Sequence, residues 1–230
     1  MEQVTNTEEY KKLFFSIPLF RDLPSNAKQN ILDKLDFQIY QTTKKEVILR
    51  QNTLCRQLYV LLKGRLRADI IDGLGNEILI EYIDAPRTFA TPHLFSNDNT
   101  LPATFTVLED GILLTATKES LFKLISEEPG ILKNFLCVTG NCNKCTVSRL
   151  RALSYKSVRG RFISYLLEHK RPNSNSINIV HNQAQLAEYL CVTRPALSKE
   201  INKMIKERLI EVEGKKINLL NMEELQKAML

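Results

Sequence analysis

The chain of 230 residues lacks the features that mark several classes of protein. No apolar run approaches the roughly 20 residues that a membrane-spanning helix needs, and the first twelve residues are too polar for a signal peptide. The five cysteines are an odd number and do not form the dense framework that staples small secreted domains. We therefore expect a cytoplasmic protein with free thiols and no membrane partner.

The signatures of common catalytic sites are also missing. With only three histidines and eight glycines, the chain shows no nucleophile–base pair, no phosphate-binding loop and no histidine-rich metal motif. An enzyme is therefore the least favoured class, although catalytic residues can converge from distant positions. Length and composition favour one large or two medium domains with ordinary cores, since 43% of the residues are apolar and 25% are charged.

Positive charge is concentrated toward the C terminus. Residues 154–230 hold 13 Lys and Arg against 8 Asp and Glu, whereas residues 1–153 hold 19 against 18. The net charge of +6 thus lies almost entirely in the last third of the chain. Such an asymmetry is typical of a nucleic-acid-binding domain. A basic membrane-surface domain would share it.

Two amphipathic helical patterns lie close together in residues 182–210. Thr193 is predicted to cap the second helix, and Pro195 in its first turn loses no helical hydrogen bond. Two short helices with so tight a connection predict a helix-turn-helix. Their apolar faces comprise Leu186, Ala187 and Leu190, then Leu197, Ile201, Met204 and Ile205.

The outer face of the second helix carries side chains that can bond base edges or phosphates. A β-hairpin follows, with Gly214 at its turn and lysines at its tip. Together they predict a winged helix. The alternative is an ordinary helical hairpin with a solvated, charged face. The candidate DNA-binding residues are Thr193, Arg194, Ser198, Lys199, Asn202, Lys215 and Lys216.

The predicted secondary structure of the remainder of the chain changes twice, from helices to strands and then to one long helix. Residues 10–20 and 25–37 predict two short helices, with Ser25 as the N-cap of the second. Residues 37–117 predict strands separated by turns, and residues 129–153 predict one long helix. The expected strands are FQIYQ, VILRQ, LYVLL, RLRADII, EILIEYI and ATFTVL.

Two stretches resemble the Crp–Fnr family of bacterial transcription regulators. The run LAEYLCVTRPALSKEINKMIKERLIE with its hairpin resembles the family's C-terminal domain, and KKEVILRQNTLCRQLYVLLKGRLRADIIDGLGNEILIEYI resembles its N-terminal β-roll. Cys191 and Asn52 stand where the family usually or often has glycine, and Cys191 would have to tolerate a positive φ. The resemblance implies an α+β fold. Its expected parts are a double-stranded β-helix (jelly roll) sensor at 1–128, a dimerisation helix at 129–153 and a winged helix-turn-helix at 154–230.

One loop of the predicted β-roll bears on the choice of ligand. In family members that bind cyclic nucleotides, a Gly-Glu pair and an Arg-Ser pair hold the phosphate and ribose. The matching positions here hold Ala90-Thr91 and Leu101-Pro102, and no arginine lies between residues 87 and 149. Because an uncompensated buried phosphate is costly, we predict that the effector is not cyclic AMP. The candidate effector pocket comprises Phe89, Thr91, Leu101 and Thr139; His93 is a further candidate ligand, although a lone histidine is more often structural.

The long helix carries two apolar rows. One row, with spacings of four and three residues, predicts a seam against a two-fold mate, and the other, which includes Leu132 and Leu136, is expected to face the β-roll. A dimer fits a helix-turn-helix protein that reads two half-sites related by the protein's symmetry. The predicted seam comprises Ile131, Phe135, Val138, Cys142 and Cys145.

Three cysteines of this helix raise the question of a metal or iron–sulfur site. At about 100° per residue, Cys142 lies roughly 140° around the helix from Cys137, so one straight helix cannot aim all three thiols at one ion. Cys142 and Cys145 share a face and across a two-fold would present four thiolates. We favour packing as small apolar residues and predict no cofactor, with a metal or cluster at Cys142 and Cys145 as the minor alternative.

The expected function is that of a homodimeric, sequence-specific, DNA-binding transcription regulator, controlled by an effector or a redox signal. Its expected partners are double-stranded DNA with a palindromic operator, a second copy of the chain, an unknown small-molecule effector and RNA polymerase. From the resemblance, Arg194 and Lys199 match positions that contact bases or phosphates. Pro195 replaces a base-reading acidic residue of some members, so the half-site should differ. The alternative is an effector-binding protein whose helix-turn-helix is only structural.

Overall fold

The structure, a computed structural model, describes residues 1–5 and 8–229, apart from the side chain of Cys145. Within these residues the chain divides into two units, Met1–Cys142 and Asn143–Leu230. No described helix is long and apolar enough to cross a membrane. The elements in chain order are β1 (Glu2–Gln3), α1 (Glu8–Ser16), α2 (Ser25–Lys34), β2 (Phe37–Thr42), β3 (Val47–Leu49), β4 (Gln57–Ile71), β5 (Glu77–Asp84), β6 (Arg87–Phe89), a 3-10 turn (Thr91–His93), β7 (Thr104–Thr117), α3 (Lys118–Glu127), α4 (Pro129–Ser154), α5 (Val158–His169), β8 (Ser176–Asn178), α6 (Gln183–Tyr189), α7 (Arg194–Lys206), β9 (Ile210–Glu213), β10 (Lys216–Leu219) and α8 (Met222–Lys227).

The first unit is built on a sheet of seven strands. Its order is β1-β2-β7-β4-β5, with β3 also on β7 and β6 also on β4, and every pair is antiparallel. Inward side chains of β4 and β7, such as Leu66 and Leu113, are fully buried and pack with α1, α2 and α3 around one core. The predicted α+β fold with an N-terminal β-roll is confirmed.

A predicted strand break is wrong. Lys63-Gly64 was expected to separate two strands, but Gln57–Ile71 is one strand with register shifts against β7 around this point. Gly64 has φ +92°, and a Cβ there would lie 2.8 Å from the Glu109 carbonyl oxygen, while a Cβ on Gly111 would lie 2.2 Å from that of Lys63. The two glycines therefore permit a bulge in which the backbones approach closely.

One expectation about the N-terminal region also fails. Ser25 was expected to cap α2, but Pro24 occupies the N-cap position without a side-chain hydrogen bond and Ser25 is the first helical residue. Glu2–Gln3 pairs with β2. The extended backbone of Pro24, with φ −65° and ψ 158°, sets the start of α2, and backbone pairing sets the position of β1. The pattern of side chains in the sequence indicates neither.

The apolar row of α4 that is buried is not the row predicted to face the β-roll. Ile131 is fully buried in the β-roll core, and the Phe135 ring lies 5.5 Å from that of Phe95. Leu132 and Leu136, which were expected to face the β-roll, are 41% and 59% exposed. Ile131 and Phe135 therefore belong to the unit's own core. Periodicity identifies two rows on a helix but does not say which one is covered.

The rest of the predicted seam is only partly described. Val138 and Cys142 are half-buried, and the side chain of Cys145 lies outside the described residues. Further along the same row Arg149 and Ala152 are buried. The position of the two-fold axis remains a prediction.

The second unit is a small helical core closed by a three-stranded sheet. Strands β8, β10 and β9 form that sheet in this order, all antiparallel. Leu197, Ile201 and Met204 of α7 are buried as predicted, whereas Ile205 is 39% exposed and lies at the edge of the apolar row. The helix-turn-helix and the hairpin that follows it are both confirmed.

Candidate functional site

The second helix of the helix-turn-helix begins as its sequence predicts. The Thr193 hydroxyl accepts a hydrogen bond from the backbone N–H of Ala196 at 3.3 Å, and Pro195 lies in the first turn. Cys191, in the turn before it, has φ +52°. A positive φ at this non-glycine residue was expected, and it costs roughly 1–2 kcal/mol relative to a right-handed conformation. The turn keeps its geometry without glycine.

The predicted reading face of α7 lies opposite its buried row. Arg194, Lys199 and Asn202 are exposed and Ser198 is half-buried, while Thr193 is exposed at the cap. A helix whose one face is packed and whose other face presents a guanidinium, an ammonium and an amide can lay donors along a DNA groove. The five predicted residues lie at the cap of α7 and along its exposed side, where Arg194 and Lys199 are about 140° apart around the helix.

The wing presents the other two predicted residues. Gly214 at its tip has φ +61°, which suits glycine, and Lys215 and Lys216 are exposed. The backbone N–H of Ile179 donates to the Lys215 carbonyl at 2.8 Å, which ties the tip to the segment after β8. Two ammonium groups on a supported hairpin can contact a phosphate backbone.

Arg161 of α5 braces the turn of the helix-turn-helix. Its Nη1 donates to the carbonyls of Leu190 and Cys191 at 3.0 and 3.1 Å, and its Nε donates to the carbonyl of Tyr155 at 2.9 Å. Sequence reasoning missed this residue. Its acceptors are backbone oxygens, and no side-chain pattern signals them.

A second arginine of α5 was missed as well. Arg159 Nε donates to Glu200 Oε1 at 2.5 Å, and its Nη1 lies 2.8 Å from Glu207 Oε2. The hydrogen bond from Arg159 lowers the pKa of Glu207, and the bond to Glu207 raises the pKa of Arg159. The only sequence signal was two acidic residues seven positions apart on an otherwise basic helix.

The candidate effector loop has a different character. Ala90, where cyclic-nucleotide-binding relatives carry glycine, has φ +55°, and the 3-10 turn starts directly after it. Phe89 and Leu101 are buried in the β-roll core. Thr91 is also buried, and its hydroxyl has no hydrogen-bond partner among the described residues. The positions that the resemblance assigns to the Gly-Glu and Arg-Ser pairs are thus filled by Ala90-Thr91 and Leu101-Pro102.

The rest of this loop bonds to itself and to one lysine. Asp98 accepts from the Thr100 hydroxyl at 2.7 Å, and this bond lowers the pKa of the Asp98 carboxyl. Burial lowers the pKa of His93, against the charge of Asp98. Lys118 donates to the Asn99 side chain at 3.4 Å and lies over the Phe95 ring at 5.3 Å. Sequence reasoning overlooked this cation, which belongs to the next helix.

Thr139 is not brought into this loop by any described contact. Its hydroxyl donates to the carbonyls of Phe135 and Leu136 within α4, both at 3.0 Å. Among the thiols, Cys55 is buried, and burial raises its pKa to about 11. In the described part of the chain no three His, Cys, Asp or Glu side chains lie together as a metal site would require. The minor alternative, a metal or cluster at Cys142 and Cys145, involves a side chain outside those residues.

Comparisons with known proteins agree with this arrangement. Residues 41–128 match the cyclic nucleotide-binding domain and residues 160–228 match the Crp-like helix-turn-helix domain. A relative in Lacticaseibacillus casei named "Probable transcriptional regulator flp" is 26% identical over 216 residues, which cover 91% of this chain and 94% of the relative.

Two solved structures illustrate the shared fold. A CooA mutant from Carboxydothermus hydrogenoformans is 20% identical with a TM-score of 0.69, over 99% of this chain and 98% of that one. FixK2 from Bradyrhizobium japonicum is 15% identical with a TM-score of 0.61, over 84% of this chain and 98% of that one. At these identities the likeness concerns the fold alone.

Proposed function

Since the chain belongs to the Crp–Fnr family of bacterial transcription regulators, we propose that it binds a two-fold-symmetric DNA operator as a homodimer, under control of a signal other than cyclic AMP. The observation that carries the proposal is the exposed polar face of α7 opposite its buried row, with the basic wing beside it. This face is suited to the major groove, where Arg194 can bond a guanine edge. The wing lysines are suited to phosphates and would add salt-dependent affinity.

The exposed row of α4 supports the dimer. Leu132, Leu136, Val147 and Leu150 are 41%, 59%, 58% and 69% exposed. Gly140 lies between them, and nothing comes within 4 Å of a Cβ built on it. An apolar helical stripe with an open gap is the shape that a second, two-fold-related helix would cover. This row replaces the seam through Ile131 and Phe135.

The chemistry of the effector loop supports a signal other than a cyclic nucleotide. The cyclic phosphate would meet Leu101 where relatives provide an arginine, and no described cation replaces it at that position. Lys118 approaches the loop at Asn99 and Phe95 instead. An unpaired phosphate in such a site would bear a large desolvation cost.

A redox signal would have to use thiols other than Cys55. Because burial raises the pKa of Cys55 to about 11, little reactive thiolate exists there at neutral pH. Cys137 is exposed and Cys142 is half-buried on α4. A cysteine-based switch on α4 would act on the helix proposed to pair the two chains.

A physical link between α4 and the DNA-binding helices lies within the second unit. The Arg149 guanidinium lies over the Tyr189 ring of α6 at 4.8 Å, and Arg149 is 7% exposed. A buried cation–π contact of this kind is worth up to about 2 kcal/mol. A change in the pairing of α4 would therefore be felt directly by the first helix of the helix-turn-helix.

Footprinting on the regions upstream of the chain's own gene and its neighbours tests the proposed function. We expect a protected, near-palindromic site whose affinity falls steeply between 50 and 200 mM salt, by a factor of about 10³ or more if six phosphates are contacted. Transcription in vitro with RNA polymerase, the further partner we propose, would then show activation or repression. Salt-insensitive or absent DNA binding would favour the alternative, an effector-binding protein with a structural helix-turn-helix.

A further inference from the structure

We infer that Arg159 of α5 is a positioning residue for DNA recognition, which holds Glu200 and Glu207 away from the DNA and keeps α7 seated for reading. The inference rests on the proposed role of α7. Arg159 itself lies outside the predicted reading face, 35 positions before Arg194 in the chain. It acts indirectly, through its bonds to α7.

The geometry is that of a two-point clamp. Arg159 donates from Nε to Glu200 at 2.5 Å and from Nη2 to Glu207 at 3.2 Å, with Nη1 2.8 Å from the second Glu207 oxygen. The side chains of Arg159 and Glu200 are 19% and 20% exposed. A planar guanidinium has five donors in a rigid fork, so it can satisfy two carboxylates at once. The partial burial of this pair strengthens the bond to Glu200 relative to an exposed ion pair, whereas Glu207 is 37% exposed.

The spacing of the two carboxylates along α7 allows Arg159 to restrain the orientation of the helix. Glu200 and Glu207 are seven residues apart, which is about two turns or roughly 10 Å along a helix. One bond near the middle of α7 and another at its C-cap resist both rotation and tilt of the helix. Seating matters because base-reading side chains must meet a groove edge within hydrogen-bonding distance.

The same contacts also neutralise the negative charges of α7. Glu200 and Glu207 are the only acidic residues from Arg194 to Glu207, whereas that stretch contains four Lys and Arg. These cations are Arg194, Lys199, Lys203 and Lys206, and Arg208 follows directly after Glu207. Lys203 lies 3.9 Å from Glu207, a weaker exposed pair. With both acids paired to Arg159, the helix presents an almost wholly positive surface to a polyanion.

Removal of Arg159 should therefore expose DNA to two carboxylates, of which only Glu207 keeps a weak pair with Lys203, without unfolding the unit. The core under α7 consists of apolar side chains such as Leu197, Ile201 and Phe162, and Arg159 is not among them. Repulsion between carboxylates and phosphates is long-ranged at low salt and screened at high salt. This gives the clamp an experimental signature that loss of packing does not share.

The test is a charge-rescue series measured by fluorescence anisotropy on the footprinted operator, with the full-length protein. Arg159→Ala should weaken binding about 10-fold at 50 mM salt, and the deficit should shrink toward 200 mM salt. Arg159→Lys, which keeps the charge but loses the fork, should recover only part of the affinity. Arg159→Ala combined with Glu200→Gln and Glu207→Gln should return to within about 3-fold of wild type. Arg171→Ala, which removes an exposed cation elsewhere in the unit, is the matched control and should change affinity less than 2-fold.

Three outcomes would overturn the inference. They are unchanged binding by Arg159→Ala, a triple variant as weak as Arg159→Ala, and a deficit that is the same at both salt concentrations. A thermal melt of each variant by circular dichroism separates these results from unfolding. If wild type itself binds no operator, the proposed function fails at an earlier step, so the two failures are distinguishable.

Discussion

Polar side chains are bonded differently in the candidate effector loop of the first unit and on the predicted reading face of α7 in the second unit. On α7, Arg194 and Lys199 are exposed and, within the described residues, make no ion pair. In the loop, Asp98 bonds Thr100 and Asn99 accepts from Lys118, while Leu101 is fully buried. The donors of α7 are therefore exposed to solvent and available to a polyanion. Apart from the buried Thr91 hydroxyl, the polar groups of the loop named here are bonded, so the loop offers little to a charged ligand.

This comparison indicates that the difference from cyclic-nucleotide-binding relatives lies in the loop of the first unit. The DNA-binding half keeps polar residues at the positions that its resemblance predicts, with Pro195 in place of an acidic reader. The first unit keeps the β-roll but has Ala90-Thr91 and Leu101-Pro102 at the positions that the resemblance assigns to the anion-binding pairs. The two halves of a regulator can thus diverge separately, because their functional residues depend on different local chemistry.

The largest expected effect comes from the proposed two-fold. Leu136→Asp would place a charge beside its own symmetry copy, where desolvation and like-charge repulsion add. We expect monomers by light scattering and a loss of operator affinity of more than about 100-fold, since both half-sites contribute. Asn141→Asp, an equal charge on another exposed part of α4, should remain dimeric. A dimeric Leu136→Asp protein would move the interface elsewhere.

The thiols provide the next test. A pKa of about 11 instead of 9.0 lowers the thiolate fraction of Cys55 at pH 7 about 100-fold. A disulfide reagent should therefore modify exposed Cys137 and Cys191 at least about 100-fold faster than Cys55, as followed by peptide mass spectrometry. Folding should lose stability as the pH rises from about 9 toward 11, because the unfolded thiol ionises first. Rapid modification of Cys55 in the native protein would make it a redox candidate again.

Arg194→Ala tests the reading face directly. We expect a cost of about 1–3 kcal/mol at the cognate operator, or roughly 5- to 150-fold, and relaxed selectivity at one base position. The measurement is a set of single-base operator variants titrated with both proteins. Equal affinity of Arg194→Ala and wild type would place base recognition on another surface.

Lys215→Ala should have a smaller and less selective effect. If the wing lysine contacts a phosphate, binding to all sequences should weaken by a similar factor and the salt slope should fall by about one. Titrations of operator and unrelated DNA at several salt concentrations measure both quantities. Sequence-dependent loss would instead indicate that the wing reads bases.

The smallest expected effect concerns the effector loop. Calorimetry with cyclic AMP or cyclic GMP at millimolar concentration should detect no specific binding, because Leu101 and Pro102 offer no cation or hydroxyl to the phosphate. A dissociation constant in the micromolar range would contradict this and would point to Lys118 as the first residue to substitute. It would also remove the contrast between the two halves of the chain.

Much of the architecture follows from the sequence alone. The spacing of Leu197, Ile201 and Met204, the cap at Thr193 and Gly214 at a hairpin tip are local features, so helix, turn and wing are readable without a structure. The substitutions at Ala90, Thr91, Leu101 and Pro102 are readable too, once the resemblance places them in the loop. Each depends only on near neighbours in the chain.

Other features were decided only by the tertiary structure. Two apolar rows on α4 looked alike, and only the burial of Ile131 and the position of Phe95 beside Phe135 show which row is covered. Gly64 signalled a break, yet Gly111 opposite it makes room for a continuous strand. Arg159 meets Glu200 and Glu207 from 41 and 48 positions away, and a contact over that distance depends on how helices pack, which periodicity does not encode.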